Sequence, residues 1–263
     1  MGQGCLNVVG AVCNRDPDGQ LALRTNVNGD IDLYLQVREK EGRLYSDNVA
    51  ARLPVLPRTH PLWAEWQARA DSVARLRAYL AKLPKPLTIL ELGCGNGWLA
   101  NRLAYLDGCR VWGIDLNRRE LSQAARVFAG NRRLAFACAD VFAGPFPAHS
   151  IDCVVIASAA QYFPDLAALI RRLFVLLTER GEIHILDSPF YAPEEVAEAR
   201  ARSQAYYTGL GFPQMAAHYH HHTLAALSEF QPVMLYDPHS LLARLQCRLR
   251  LAASPFPWIR LRK

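Results

Sequence analysis

The 263-residue sequence predicts an α/β protein built on a doubly wound, mostly parallel sheet. Three observations carry that prediction. Short apolar runs alternate with amphipathic stretches between residues 87 and 187. One run breaks into glycines, "ILELGCGNGWLA" from Ile89 to Ala100, and resumes at helical spacing as Leu99, Ala100, Leu103 and Ala104. Two later runs end on an aspartate, Asp115 and Asp140, at the carboxyl edge where open α/β sheets bind ligands.

Residues 1–60 scatter Gly, Asn, Asp and Pro and include the polar block "VREKEGRLYSDN", so they read as an irregular N-terminal arm. From Pro61 to Leu83 the residues Trp66, Ala70, Val73, Leu76, Leu80 and Leu83 recur at helical spacing, and Pro84 and Pro86 end the pattern. After the glycine turn come a strand at 110–115, a helix at 117–129, strands at 134–140 and 151–158, a helix at 165–178 and a strand at 182–187. Beyond it, "APEEVAEARARSQAYY" and "HYHHHTLAALSEF" read as a helical cap, about 188–230. "PVMLYD" and "WIRLRK" read as strands able to close the sheet as an antiparallel pair. The organisation is thus an arm or lid at 1–60 and one domain at 61–263 with the cap inserted.

Half of the residues are hydrophobic, enough for one sizeable core. No apolar run approaches the length that crosses a bilayer, and the N-terminus lacks the basic region of a signal peptide, so a soluble cytoplasmic protein is expected. Met1-Gly2 opens a myristoylation pattern that Leu6 breaks. The seven cysteines (5, 13, 94, 109, 138, 153, 247) form no C-x-x-C pair and read as reduced hydrophobes, and their spacing supports no zinc site. The net charge of +6 sits in one place: Arg244, Arg248, Arg250, Arg260, Arg262 and Lys263 account for all of it. The rest of the chain balances 24 basic against 24 acidic residues, which argues against a general nucleic-acid-binding surface. The tail itself, "RLQCRLRL" and "WIRLRK", alternates basic and apolar residues. It suits a half-buried strand, or else a segment making peripheral contact with a membrane or an anionic acceptor.

Two ligand classes compete for a glycine turn that opens a helix. Dinucleotide sites use G-x-G-x-x-G, yet the third position here is Trp98. The glycines run instead as Gly93, Gly95 and Gly97 behind Glu91, giving E-x-G-x-G-x-G, and an acid at that strand end suits an amino-bearing ligand without phosphates. The segment "ILELGCGNG" resembles motif I of the class I S-adenosylmethionine-dependent methyltransferases, nearest the small-molecule group of methyltransferase type 11. "VWGID", "AFACAD", "IDCVVIASAAQYFPDL" and "LTERGEIHILDSPFY" resemble the following motifs in order, over about residues 85–190.

That resemblance implies a Rossmann-like fold with a seven-stranded sheet, S-adenosylmethionine as cofactor, and a cofactor site made from Glu91, Gly93, Cys94, Gly95, Gly97, Asp115, Leu116, Asp140, Val141, Ser158 and Gln161. Within it Asp115 would accept from the ribose hydroxyls and Asp140 would face the adenine amino group. The family's double glycine before the fifth strand is reduced here to Arg180-Gly181. A nicotinamide oxidoreductase, a nucleic-acid methyltransferase and a non-catalytic cofactor-binding module stay open as alternatives.

Methyl transfer from a sulfonium needs alignment above all, and a base only where the acceptor must lose a proton. Tyr162 and Gln161 follow the fourth strand at the ligand edge, and Asp187 and Tyr191 follow the fifth. "DSPFY" resembles the D/N-P-P-Y/F signature of amino methyltransferases but stands after the wrong strand for it. His218 and His222, four apart in a run with His220 and His221, would share a helical face and could serve as a base or hold a metal, or simply cap and pack. We assign Tyr162, His218 and His222 as catalytic candidates and no metal site. His184 reads as a buried, hydrogen-bonded strand residue and Asp152 as structural. Arg38, Glu41, Arg43 and Tyr45 form either a lid over the donor or an exposed loop. The expected partner is a small-molecule acceptor; oligomeric state is not encoded legibly.

Overall fold

The computed structural model describes residues 27–143, 146–241, 243 and 254–263. Met1-Gly2, Cys5, Cys13, Cys247, Arg244, Arg248 and Arg250 lie outside them. The chain opens with α1 (Val27–Lys40), α2 (Asp47–Ala50) and α3 (Trp63–Leu80), then alternates β1 (Leu87–Leu92), α4 (Trp98–Ala104), β2 (Cys109–Asp115), α5 (Arg118–Val127), β3 (Leu134–Cys138), β4 (Ile151–Ala157), α6 (Leu166–Leu176) and β5 (Leu177–Leu186). A short β6 (Phe190–Tyr191) precedes α7 (Val196–Leu210), and β7 (His222–Thr223), β8 (Val233–Tyr236) and β9 (Trp258–Arg262) follow. Among the described residues the main sheet has seven strands in the order β3-β2-β1-β4-β5-β9-β8. All pairs from β3 to β5 are parallel, and β9 runs antiparallel between β5 and β8, the closing pair expected from the tail.

The sheet is covered on both faces, as its near-continuous apolar strands require. Along β1, Leu87 and Ile89 join the core beneath α3 and α4, while Leu90 and Leu92 join the opposite core around α6. This period of two splits β4 the same way, with Cys153 and Val155 on one side and Val154 and Ile156 on the other. Asp152, at the amino end of β4, accepts from Thr88 N at 2.8 Å and Thr178 Oγ1 at 3.1 Å, so it stitches β1 to β5 as a structural acid.

One expectation fails in the arm. Residues 27–40 are a helix, not irregular, because Leu33, Tyr34 and Val37 find an apolar partner in the cap, packing with Tyr207 and Met215. Docking of that face supplies the stability that local propensity lacks. The tail residues that are described are structural: Arg262 Nε donates to Glu182 Oε1 at 2.7 Å and Arg260 Nη1 to Tyr79 Oη at 3.1 Å. No helix among the described residues is long and apolar enough to cross a membrane.

Candidate functional site

The site begins where β1 ends. Gly93, Gly95 and Gly97 all take left-handed φ values, 72°, 51° and 73°, which side chains rarely adopt. Space forbids substitution as well: a Cβ on Gly97 would stand 2.4 Å from the Phe136 ring, and one on Gly93 2.8 Å from Ala159. Gly97 thereby lets β3 close against the turn, and the buried indole of Trp98 starts α4, stacked edge-on against Trp66 with centroids 5.1 Å apart. Asp115 then locks the turn to the end of β2. Its Oδ2 accepts from Gly95 N and its Oδ1 from Asn117 N, both at 2.8 Å. Burial raises its pKa, and these backbone N–H groups oppose the rise. Asn117 caps α5 through Arg119 N and Glu120 N. Asp140 Oδ1 accepts from Phe142 N at 2.9 Å, which turns the chain after β3.

These strand ends enclose a cavity of about 570 Å³. Glu91, Gly93, Cys94, Gly95, Asp115, Leu116, Asp140, Val141 and Ser158 all line it. So do Tyr34 and Arg38 of α1, Trp66 and Arg69 of α3, Glu120 of α5, and His218 and His220 of the cap. Glu91 is only 3% exposed, and burial drives its pKa well up. Backbone N–H of Ala100 meets the carboxylate, yet Oε2 has no hydrogen-bond partner among the described residues. A buried carboxylate oxygen left unpaired is costly unless something arrives to pair it.

A second cavity of about 700 Å³ adjoins the first, and Arg38, Arg43, Arg69, Ser158 and Tyr162 line both. Its floor is the carboxyl edge of β4 and β5, where Ser158 (φ 55°) and Asp187 (φ 50°) hold left-handed conformations without being glycine. Backbone strain of this kind concentrates at functional sites. Arg69 Nη1 donates to Ser158 Oγ at 2.7 Å, and Asp187 Oδ1 accepts from Ser72 Oγ at 2.7 Å and Ser254 Oγ at 3.0 Å. Burial raises the Asp187 pKa. Arg43 grips Glu65 with two 2.6 Å bonds and Arg69 adds two more, at 2.9 and 3.2 Å, which hold Glu65 down at about 2 although burial opposes it. Tyr162, Tyr206, Tyr207 and Tyr219 supply aromatic wall.

Several expected residues are placed differently. Gln161, expected beside the cofactor, lines the second cavity instead; its Nε2 donates to Ser158 O at 2.7 Å and its buried Oε1 has no partner among the described residues. Gly97 stands behind the turn, packed on Phe136, and does not line the first cavity. His218 and His222 do not share a helical face: His218 ends a 3₁₀ turn, Tyr219 is extended and His222 opens β7. His222 lines neither cavity, its Nε2 lying 3.2 Å from Ala160 O. Glu120 and Arg69 were missed. Glu120 is the third helical residue after Asn117, a spacing that signals a helix start and nothing about a ligand; Arg69 sits three residues beyond Trp66, on the face taken for core. The arm block does reach the site, since Arg38, Arg43 and Tyr45 line the first cavity and Glu41 the second.

Comparison with known proteins agrees with this geometry. Residues 89–181 match the model of a family described as "Methyltransferase domain". A 2-methyl-6-phytyl-1,4-hydroquinone methyltransferase of Synechocystis sp. is 28% identical over 123 residues, 46% of this chain and 39% of that protein. A sterol 24-C-methyltransferase of Schizosaccharomyces pombe is 27% identical over 158 residues, 57% of this chain and 42% of that protein. The chain spans well under half the length of these curated relatives. Among solved structures, geranyl diphosphate C-methyltransferase from Streptomyces coelicolor A3(2) aligns over 91% of this chain and 98% of its own, with a TM-score of 0.59 at 14% identity. An S-adenosylmethionine-dependent methyltransferase from Mesorhizobium loti aligns over 76% and 98%, with a TM-score of 0.52 at 22% identity. The fold is the Rossmann-like one of class I methyltransferases.

Proposed function

We propose that this chain, whose residues 89–181 form a methyltransferase domain, transfers a methyl group from S-adenosylmethionine to a small organic acceptor. The observation that carries the reading is the unpaired, buried Glu91 Oε2 on the same cavity as Asp115 and Asp140. An amino-acid ammonium is the cation such an oxygen suits. Asp115, held by the N–H groups of Gly95, Asn117 and Leu116, keeps acceptor capacity facing the cavity, which suits a ribose hydroxyl, and Asp140 with Val141 and Leu116 suits an adenine edge and face. When bound, the cofactor supplies a methyl group already activated on a sulfonium. The chain's own residues then align the acceptor and exclude water, with Tyr34 and Arg38 of α1 closing over the cavity.

A nicotinamide dinucleotide suits this turn less well, because the position of the third glycine that its pyrophosphate loop uses is the buried Trp98 that starts α4. A general nucleic-acid surface is also disfavoured, because Arg260 and Arg262 already pair with Tyr79 and Glu182.

The second cavity is the acceptor chamber in this reading. Tyrosine walls with Arg38, Arg43, Arg69 and Arg202 suit an acceptor with an apolar or aromatic body and an anionic group. Quinol, sterol and geranyl diphosphate are the acceptors in the relatives' names, and the first two place an apolar body beside a hydroxyl. Gln161 Oε1 offers a hydrogen-bond acceptor there. Where the acceptor must lose a proton, we assign Asp187 to take it, since the arginines hold Glu65 too acidic to serve.

Titration calorimetry tests the reading. S-adenosylhomocysteine is expected to bind and NAD not to; NAD binding without S-adenosylhomocysteine binding overturns it. Incubation with a labelled methyl donor and a metabolite extract then identifies the acceptor, and saturable cofactor binding with no labelled product from any pool favours a non-catalytic module.

A further inference from the structure

The cofactor cavity holds an acid that the reading above does not use. Glu120, in the first turn of α5, folds its carboxylate back over the glycine turn: a Cβ placed on Gly95 would stand 3.4 Å from Oε1, and Oε2 accepts from Asn117 Nδ2 at 2.8 Å. The same Asn117 donates its backbone N–H to Asp115 Oδ1 at 2.8 Å. One residue therefore braces two carboxylates on one cavity wall. The charged and titratable groups around Glu120 are Asp115 at the end of β2, Cys94 of the glycine turn, Tyr34 and Arg38 of α1, and Arg119 of its own helix. Arg38 is already committed, donating through Nε to Tyr34 Oη at 2.8 Å and pairing with Glu41 at 3.4 Å. Burial first, and the Asp115 charge second, push Glu120 up to about 7.

Two adjacent carboxylates facing a low-dielectric cavity cannot both stay ionised cheaply once water leaves. A ribose diol both donates and accepts hydrogen bonds, so it matches one ionised acid and one protonated acid better than two carboxylates. We infer that Glu120 is a second nucleoside-binding acid, and that the Asp115–Glu120 pair takes up one proton from solvent when an S-adenosyl ligand fills the cavity. Asp115 then accepts from the diol while the Glu120 O–H donates to it. The inference rests on the cofactor reading above.

Calorimetry of the full chain with S-adenosylhomocysteine, in phosphate and in Tris at pH 7.5, reads the proton directly. The observed enthalpy is expected to change with the buffer's ionisation enthalpy by an amount approaching one proton taken up. Affinity is expected to fall as pH rises from 7 to 8.5, by up to about tenfold per unit. Glu120→Gln, which mimics the protonated acid, is expected to bind without buffer dependence, with a flat profile from pH 6 to 8.5 and an affinity near that of the wild type at pH 6. Tight binding by the wild type with no buffer dependence overturns the inference and leaves the cofactor reading intact. Proton uptake that persists in Glu120→Gln also overturns it, assigning the proton to Asp115 or His220. Failure of S-adenosylhomocysteine to bind at all overturns both. If Glu120→Gln does not fold, the wild-type buffer series decides alone.

Discussion

Glu91 and Glu182 are the same residue on strands of the same sheet, 3% and 4% exposed, and their electrostatics are opposite. Burial opposes ionisation of both. Glu182 overcomes it: Tyr79 Oη donates at 2.8 Å, Arg262 Nε at 2.7 Å, and His184 Nε2 stands at 3.2 Å, which together hold Glu182 down at about 2. His184 Nδ1 accepts from Trp258 Nε1 at 3.1 Å, which puts the ring proton on Nε2, on the side of Glu182. Glu91 has one backbone N–H and an orphaned oxygen, and its pKa is driven up. Glu182 arrives with its partners from the fold, whereas Glu91 keeps a position open, as the proposed ligand-binding role requires.

The sharpest way to break this contrast is to delete each acid and read stability and affinity side by side. Glu182→Ala strips Tyr79, His184 and Arg262 of a common partner and should cost about 3–5 kcal/mol of folding stability. At this chain length that lowers Tm by roughly 6–20 °C in a thermal melt. S-adenosylhomocysteine affinity should not change. Asp115→Ala should weaken the ligand by about 1–3 kcal/mol in calorimetry, with a loss of Tm, from the freed N–H groups of Gly95 and Asn117, that stays below that of Glu182→Ala. Equal losses of stability in the two variants would erase the distinction.

Glu91→Gln sharpens the contrast at nearly constant shape. It should lower S-adenosylhomocysteine affinity by about tenfold, a charged hydrogen bond's worth, without lowering Tm, because the free protein loses only an unpaired oxygen. A drop in Tm with unchanged affinity would make Glu91 a structural acid like Glu182.

The smallest effect is in pH dependence, where the two kinds of acid pull in opposite directions. Glu182 is depressed below its unfolded value near 4.5, so its stabilisation is complete above pH 4.5 and is lost as pH falls towards 2. Glu120 is raised to about 7, so its contribution is complete below 4.5 and is lost as pH rises through 7. Thermal melts of the ligand-free protein should therefore show Glu120→Gln gaining on the wild type at pH 8 relative to pH 5. An equal offset at both pH values would refute the assignment.

The same division explains what was legible in the sequence. The glycine turn, Asp115 and Asp140 are local: each lies within a few residues of the strand that presents it, so spacing alone places them on one edge. Glu120 is equally local but hides inside a helix-capping pattern, since Asn117 at the cap explains an acid three residues later without any ligand. The second cavity has no local signature at all. Arg38, Arg69, Asp187, Tyr207 and Phe256 come from five separate parts of the chain, and no periodicity relates them. The histidine run misleads for the related reason that helical spacing presumes a helix, and 219–221 are not helical.

By itself the sequence determined the parallel sheet and the edge that gathers the glycine turn with Asp115 and Asp140, because strand period, glycine conformation and strand-end acids are properties of a few consecutive residues. Only the tertiary structure decided that residues 27–40 are helical, which acids are paired and which stand open, and where Gln161 faces. Those outcomes depend on desolvation and on partners contributed from distant segments, and neither is defined until the chain has closed on itself.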